Sequence, residues 1–229
     1  MPTILSIETS SELASVALLH GERIFTLESS GVQTHSQTVL PMAQQLLAQA
    51  GLTLRQCDAI AFGMGPGSFT GVRTACGVAQ GLAFGADLPV VPIVTLEAVA
   101  QACYEKNGRP DVLVALDARM GEVYWAQYRR SQDEWTVVAE PALSRPSEVQ
   151  PLGPVIACGS GLNAYAEAFS GLLAQAAETD LAPHAVQIAR LARIAYARHR
   201  IVAAREAQPL YLRNKVALTT QERLAKVPV

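Results

Sequence analysis

"DVLVALDARMGEVYWAQYRR", residues 111–130, decides how the rest of the chain is read. It runs strand, acidic turn, strand, and repeats the arrangement of "TILSIETSSELASVALLHG", residues 3–21, so that Asp117 stands where Glu8 stands in the first copy. A second echo follows in the same order. "PVIACGSG" (154–161) matches "DAIAFGMG" (58–65), each an apolar strand ending in G-x-G. Two matched pairs in register point to an internal duplication. Short apolar strands also resemble one another by chance, and the echoes alone leave that alternative open.

Outward from the repeat, "TILSIE", "LASVALLH" and "ERIFTLES" read as three short strands separated by turn residues, with Gly21 closing a hairpin. "HSQTVLPMAQQLLAQAG" reads as an amphipathic helix capped by Gly51. "DAIAFGMG" is a buried strand feeding a glycine loop and a helix of small residues. "LPVVPIV" is a further strand, and "TLEAVAQACYEKNG" a helix with Thr95 as its expected N-cap. The expected fold is α/β, two similar βββαβαβα-type halves with the second shorter. The polar stretch "EKNGRPD" (105–111) is the expected hinge. The expected units are therefore 1–106, 107–205 and a C-terminal tail, 206–229, that packs back at its start and frays at its end.

Half of the residues are hydrophobic, 17% are charged and the net charge is −2, an ordinary globular composition. No apolar run is long enough to span a membrane. The N-terminus has no basic region and carries Glu8 and Glu12, unlike a signal peptide. Cys57, Cys76, Cys103 and Cys158 show no metal-ligand spacing, so free thiols in a reducing cytoplasm are expected. His20, His35, His184 and His199 form no metal-binding pair, and His35 is expected as a surface or capping residue at a helix start. Residues 184–229 hold nine Lys/Arg against Glu206 and Glu222, a balance of 9 − 2 = +7, while the rest of the chain balances to −9. Such asymmetry suits a polyanionic or acidic partner, with Arg193 and Arg200 as candidate contacts to a polyanion. It equally suits a basic segment that covers an acidic body.

The loop "GMGPGSFTGVR" (63–73) fails the dinucleotide fingerprint at its third position and lacks the Lys-Ser/Thr of a phosphate-binding P-loop. Ser68 or Thr70 could cap the next helix, and an anion could sit on its N-terminus, but a tight strand-to-helix turn explains the same glycines. Actin-like and hexokinase-like phosphotransferases place a carboxylate at the end of the first strand of each half, where Glu8 and Asp117 stand, so an ATPase or small-molecule kinase is one reading. Arg119, two residues beyond Asp117, offers an ion pair instead. Gly77, Gly81 and Gly85 pose a different question, because a helix-interior glycine costs roughly 1 kcal/mol relative to alanine. Their four-residue spacing strips one helix face of bulk, either to lie on this chain's own sheet or to admit a second polypeptide. The preceding helix offers Val39, Leu40, Leu46 and Leu47 to the same patch.

"IETSSELASVAL", "THSQTVLPM", "GMGPGSFTGVR" with "GVAQGLA", "LDARMGEVYWAQY" and "PLYLRN" together resemble the TsaB (YeaZ) family from Ile4 to about Asn214. The resemblance implies an actin-like, ribonuclease H-like fold and a noncatalytic role. It implies a cytoplasmic subunit that pairs with its catalytic paralogue TsaD, joins the ATPase TsaE, and supports threonylcarbamoylation of the adenosine 3′ of the anticodon in tRNAs reading ANN codons. A homodimer through the same face is implied when TsaD is absent. The paralogue's two metal-binding histidines fall here on Thr95 and Val99, so no metal site or catalytic residue is expected. The family's partner-binding helices correspond to 34–50 and 69–86, which assigns Val39, Leu40, Leu46, Leu47, Arg73, Gly77, Gly81 and Gly85 to the interface. Glu8, Thr9, Ser10, Gly65, Gly67, Ser68 and Asp117 mark a vestigial nucleotide site with at most weak ATP or ADP binding. Many family members carry Asp where this chain has Glu8.

Overall fold

The computed structural model describes residues 1–30 and 35–213. Three strands open the chain, β1 (Ile4–Glu8), β2 (Leu13–His20) and β3 (Arg23–Ser30), followed by α1 (His35–Ala50), β4 (Ala59–Gly63), α2 (Phe69–Ala86), β5 (Val90–Ile93) and α3 (Thr95–Asn107). The same sequence of elements then begins again with β6 (Asp111–Asp117), β7 (Val123–Ser131) and β8 (Glu134–Ser144). It continues through β9 (Ile156–Cys158), the single-turn helices α4 (Gly161–Ala164) and α5 (Ser170–Leu173), β10 (Ala177–Glu178) and α6 (Ala185–Ala197). The expected helix start at Thr34 and the tail from 214 to 229 lie outside the described residues.

Two five-stranded sheets result, ordered β3-β2-β1-β4-β5 and β8-β7-β6-β9-β10. Adding five to each strand number of the first sheet gives the second, so the duplication is topological as well as sequential. In both, the first three strands form an antiparallel meander and the fourth adds parallel to the first, Ile4 beside Ala59 and Val112 beside Ile156. Glu8 and Asp117 end equivalent strands, opposite Ser15 and Val123. This is the ribonuclease H-like topology twice over, the actin-like fold.

Helices cover both sheets, and the coverage explains the strand sequences. Every residue of β1 and β4 is buried, because these strands lie under helices on both faces and can be apolar throughout. The edge strand β3 alternates in exposure instead. α1 and α2 lie on the outer face of the first sheet through Val39, Met42, Ala43 and Leu46 and through Ala75, Cys76, Ala79 and Ala83. Between the sheets the crossover helices are exchanged. α3, which follows the first sheet in sequence, packs Leu96, Val99, Ala100 and Cys103 on the second. α6, which follows the second, packs Ile188, Ala189, Leu191 and Ala192 on the first. Each half thus completes the core of the other. Among the described residues, the far face of the second sheet carries the short helices α4 and α5 and their connections, with Leu162 and Phe169 buried against Leu113 and Ala115. The reduced second half is visible there.

After α6 the chain returns along the first sheet's edge, where Val202 and Val90 exchange backbone hydrogen bonds at 2.9 Å. Ala207 then lies against α2, its carbonyl accepting from Gln80 Nε2 at 2.9 Å. Among the described residues no helix is long and apolar enough to cross a membrane.

Candidate functional site

The two groups of glycines have opposite surroundings. In the loop, a β-carbon on Gly63 would overlap the Glu8 carboxylate, one on Gly67 would press on Ser10, and one on Gly71 would overlap the Thr9 carbonyl oxygen. These glycines let β4 and the first turn of α2 close over the end of β1. Thr9 Oγ1 donates to the Gly71 carbonyl at 2.7 Å, and Ser68 caps α2, its Oγ accepting from Gly71 N–H at 3.4 Å. The tight strand-to-helix turn is thereby the local explanation of the loop. On the helix, β-carbons at Gly77, Gly81 and Gly85 would meet nothing within 4 Å among the described residues. That stripe faces outward beside Phe84, which is 83% exposed, and Leu40 of α1 is exposed as well. Leu47 of α1 is half-buried against the core beneath it, and Arg73 is exposed at the N-terminal end of the stripe. Val39 and Leu46, expected in the same patch, are fully buried against the first sheet and are no part of the outer face. α1 turns Val39 and Leu46 toward the sheet and leaves Leu40 on its outer side.

Glu8 differs from the cleft carboxylate expected of it. Its side chain has no exposed surface. Oε1 accepts from Ser10 N–H at 2.6 Å and Oε2 accepts from Thr95 Oγ1 at 3.2 Å. Burial pushes its pKa above the ordinary glutamate value, partly offset by the hydrogen bonds from Ser10 and Thr95. Thr95 is not the N-cap of α3, a place held by Val94. Its hydroxyl instead links the glycine loop to Glu8, taking Gly65 N–H at 3.1 Å while donating to the carboxylate. Val99, the second position matched to a paralogue histidine, is fully buried in the core between α3 and the second sheet. His35 also departs from expectation. It is half-buried, its ring nitrogens 3.2 and 3.4 Å from the carbonyls of Thr9 and Glu12, which ties α1 to the β1–β2 turn.

Asp117 does reach the space between the halves. It lines a cleft of about 740 Å³ with Ser10, Gly67 and Ser68, whereas Glu8, Thr9 and Gly65 lie behind its wall. The Asp117 carboxylate is occupied by Tyr165 Oη at 3.0 Å and by Arg119, whose N–H donates at 2.8 Å and whose guanidinium lies 3.1 Å away. Arg119 also meets Glu12 at 3.0 Å, so one arginine joins the acidic turns of the two halves. The cleft lining sets Arg119 and Arg213 against Glu12 and Asp117, with serine hydroxyls and the N-terminus of α2 beside them. With Glu8 withdrawn and Asp117 paired, those residues fit a magnesium nucleotide poorly.

The basic segment largely faces acids. Arg190 pairs with Glu105 and Arg198 with Glu134, while Arg193 and Arg200 are held more loosely, 3.9 Å from Glu22 and 3.8 Å from Glu134. Within the expected C-terminal tail, Leu210, Tyr211, Leu212 and Arg213 line the cleft. Sequence reading missed Phe84, whose place beside the glycine stripe follows from helical spacing.

Comparison with known proteins agrees with this architecture. Residues 28–227 match the family model described as "TsaD: tRNA N6-adenosine threonylcarbamoyltransferase". The tRNA threonylcarbamoyladenosine biosynthesis protein TsaB of Escherichia coli is 42% identical over 71% of this chain and 73% of its own length. That of Haemophilus influenzae is 52% identical over 57% of this chain, the match spanning only 55% of that relative. The solved structure of YeaZ from Pseudomonas aeruginosa superposes with a TM-score of 0.84 at 41% identity, covering 93% of this chain and all of that one. The chain belongs to the TsaB (YeaZ) family of tRNA threonylcarbamoyladenosine biosynthesis proteins, within the wider family that the TsaD transferases define.

Proposed function

We propose that this chain is a noncatalytic subunit of a tRNA threonylcarbamoyltransferase, docking on TsaD through the outer face of α1 and α2. The observation that carries the reading is the open glycine stripe. Three helix-interior glycines cost the isolated chain roughly 1 kcal/mol each relative to alanine, and among the described residues nothing within 4 Å requires them. A partner helix approaching closely does require them, with Leu40 and Phe84 as flanking apolar anchors. The reaction served is threonylcarbamoylation of the adenosine 3′ of the anticodon in tRNAs reading ANN codons, with TsaE as a third component. The same face would pair two copies of this chain when TsaD is absent. The buried, doubly hydrogen-bonded Glu8 favours this reading over phosphotransfer by Glu8 and Asp117. Co-purification of this chain with TsaD of the same organism tests it, and failure of the two to associate would remove its basis.

Arg193 and Arg200, the loosely paired cations of the α6 region, are the residues we assign to tRNA phosphates within the complex. Replacing both with alanine should lower the slope of log affinity against log salt by about two. An unchanged slope would leave them as partners of Glu22 and Glu134 alone.

A further inference from the structure

The segment 209–213 touches both halves at the mouth of the cleft. Leu210 N–H donates to the Met64 carbonyl at 2.7 Å, and the Leu210 carbonyl rests against Gly65 at the glycine loop. Tyr211 lies on the first turns of α2. Its hydroxyl accepts from Arg73 Nε at 2.7 Å, its ring sits 5.8 Å from that of Phe69, and the Arg73 guanidinium stacks 3.7 Å over Phe69. Leu212 then packs against the core between α3 and the second sheet. Arg213 grips the β6–β7 turn, pairing with Glu122 at 2.8 Å and donating to the Ala118 carbonyl at 3.0 Å.

That turn needs holding. Arg119, Met120 and Gly121 are consecutive left-handed residues, with φ of 61°, 59° and 78°. Non-glycine residues adopt this conformation at a cost and keep it only where surrounding contacts impose it. Arg213 supplies part of that imposition, and Asp117, accepting from Arg119 N–H, supplies another part. Tyr211 meanwhile is exposed beside Phe69 and Arg73, continuous with the outer face of α2. One five-residue strap therefore has its Tyr211 end on the docking face and its Arg213 end on the left-handed turn that walls the cleft.

We propose that residues 209–213 couple the docking face to the cleft. Contact at Phe69, Arg73 and Tyr211 changes the hold of Arg213 on the β6–β7 turn, and loss of that hold loosens the first turn of α2. The partner half of this statement rests on the docking role given above; the intramolecular half does not. Coupling of this kind requires an element that both sites bias, and the strap is that element.

Hydrogen exchange of the full chain tests both halves. In the isolated Arg213→Ala protein, amides of 118–122 should exchange about tenfold faster, and so should those of 69–73 at the other end of the strap. Arg213→Lys, which keeps the charge and guards against a general folding defect, should show a smaller change at both places. Faster exchange at 118–122 with 69–73 unchanged would overturn the coupling whatever the partner does. With purified TsaD added, the unaltered chain should be protected at 69–85 and also at 118–122, and Tyr211→Ala should lose only the second protection. Protection of 118–122 that survives Tyr211→Ala would overturn the coupling, whereas absence of protection at 69–85 in the unaltered chain would overturn the docking face.

Discussion

Gly63 and Glu8 occupy one space: the position a side chain would take on Gly63 is filled by the Glu8 carboxylate. Gly63→Ala should therefore be destabilising by at least 1–3 kcal/mol, the usual cost of overpacking a filled interior. Gly71→Ala should behave alike, because its β-carbon would meet the fixed backbone oxygen of Thr9. Alanine at Gly77, Gly81 or Gly85 meets open space and should stabilise the isolated chain by roughly 0.5–1 kcal/mol each. Urea midpoints of the five variants would separate the groups, and equal destabilisation in both would refute the distinction.

Burial raises the Glu8 pKa above its ordinary 4.5, which sets a sign for the pH dependence of stability. The folded protein holds a proton that the unfolded chain releases as pH rises past the ordinary value. The stabilisation is whole below that value and is lost as pH climbs toward the folded-state pKa, by about 1.4 kcal/mol per unit of difference. Glu8→Gln, a mimic of the protonated acid, should remove this decline, so the variant gains on the unaltered chain as pH rises above 4.5. Parallel pH profiles for the two proteins would show that Glu8 is ionised in its buried site.

All four cysteines are buried, and burial pushes the Cys57 thiol up to about 11. Cys76 and Cys158 are raised for the same reason, while a hydrogen bond from Cys158 holds Cys103 down. Labelling by an aromatic disulfide at pH 8 should therefore follow unfolding, with no rapid phase in the native protein and four thiols released in denaturant. A thiol that reacts within seconds in the native state would contradict the burial.

Much of this architecture was legible in the sequence because the duplication repeats local patterns. Apolar strands ending in an acid or in G-x-G carry their own signature, and β1 to α3 fall within a residue or two of their expected places. The exchange of α3 and α6 between sheets was not legible. Both helices present an apolar face, and nothing in one sequence says which sheet each will cover. Thr95 illustrates a second limit: a threonine before a helical run reads as an N-cap, but here the hydroxyl is diverted to Glu8 and Gly65, partners distant in sequence. Val39 and Leu46 illustrate a third, since an apolar residue on an amphipathic helix can serve the core or a partner and only the sheet beneath decides. The glycine stripe was legible as an anomaly, and its outward direction rules out packing on this chain's own sheet.

Binding of TsaD to the Gly81→Leu protein is the most direct measurement. A leucine at this open position should leave thermal unfolding of the isolated chain no worse, while affinity for TsaD falls by tenfold or more, about 1.4 kcal/mol or beyond. Unaltered affinity in a fully folded Gly81→Leu protein would contradict the claim that the stripe exists to admit a second polypeptide.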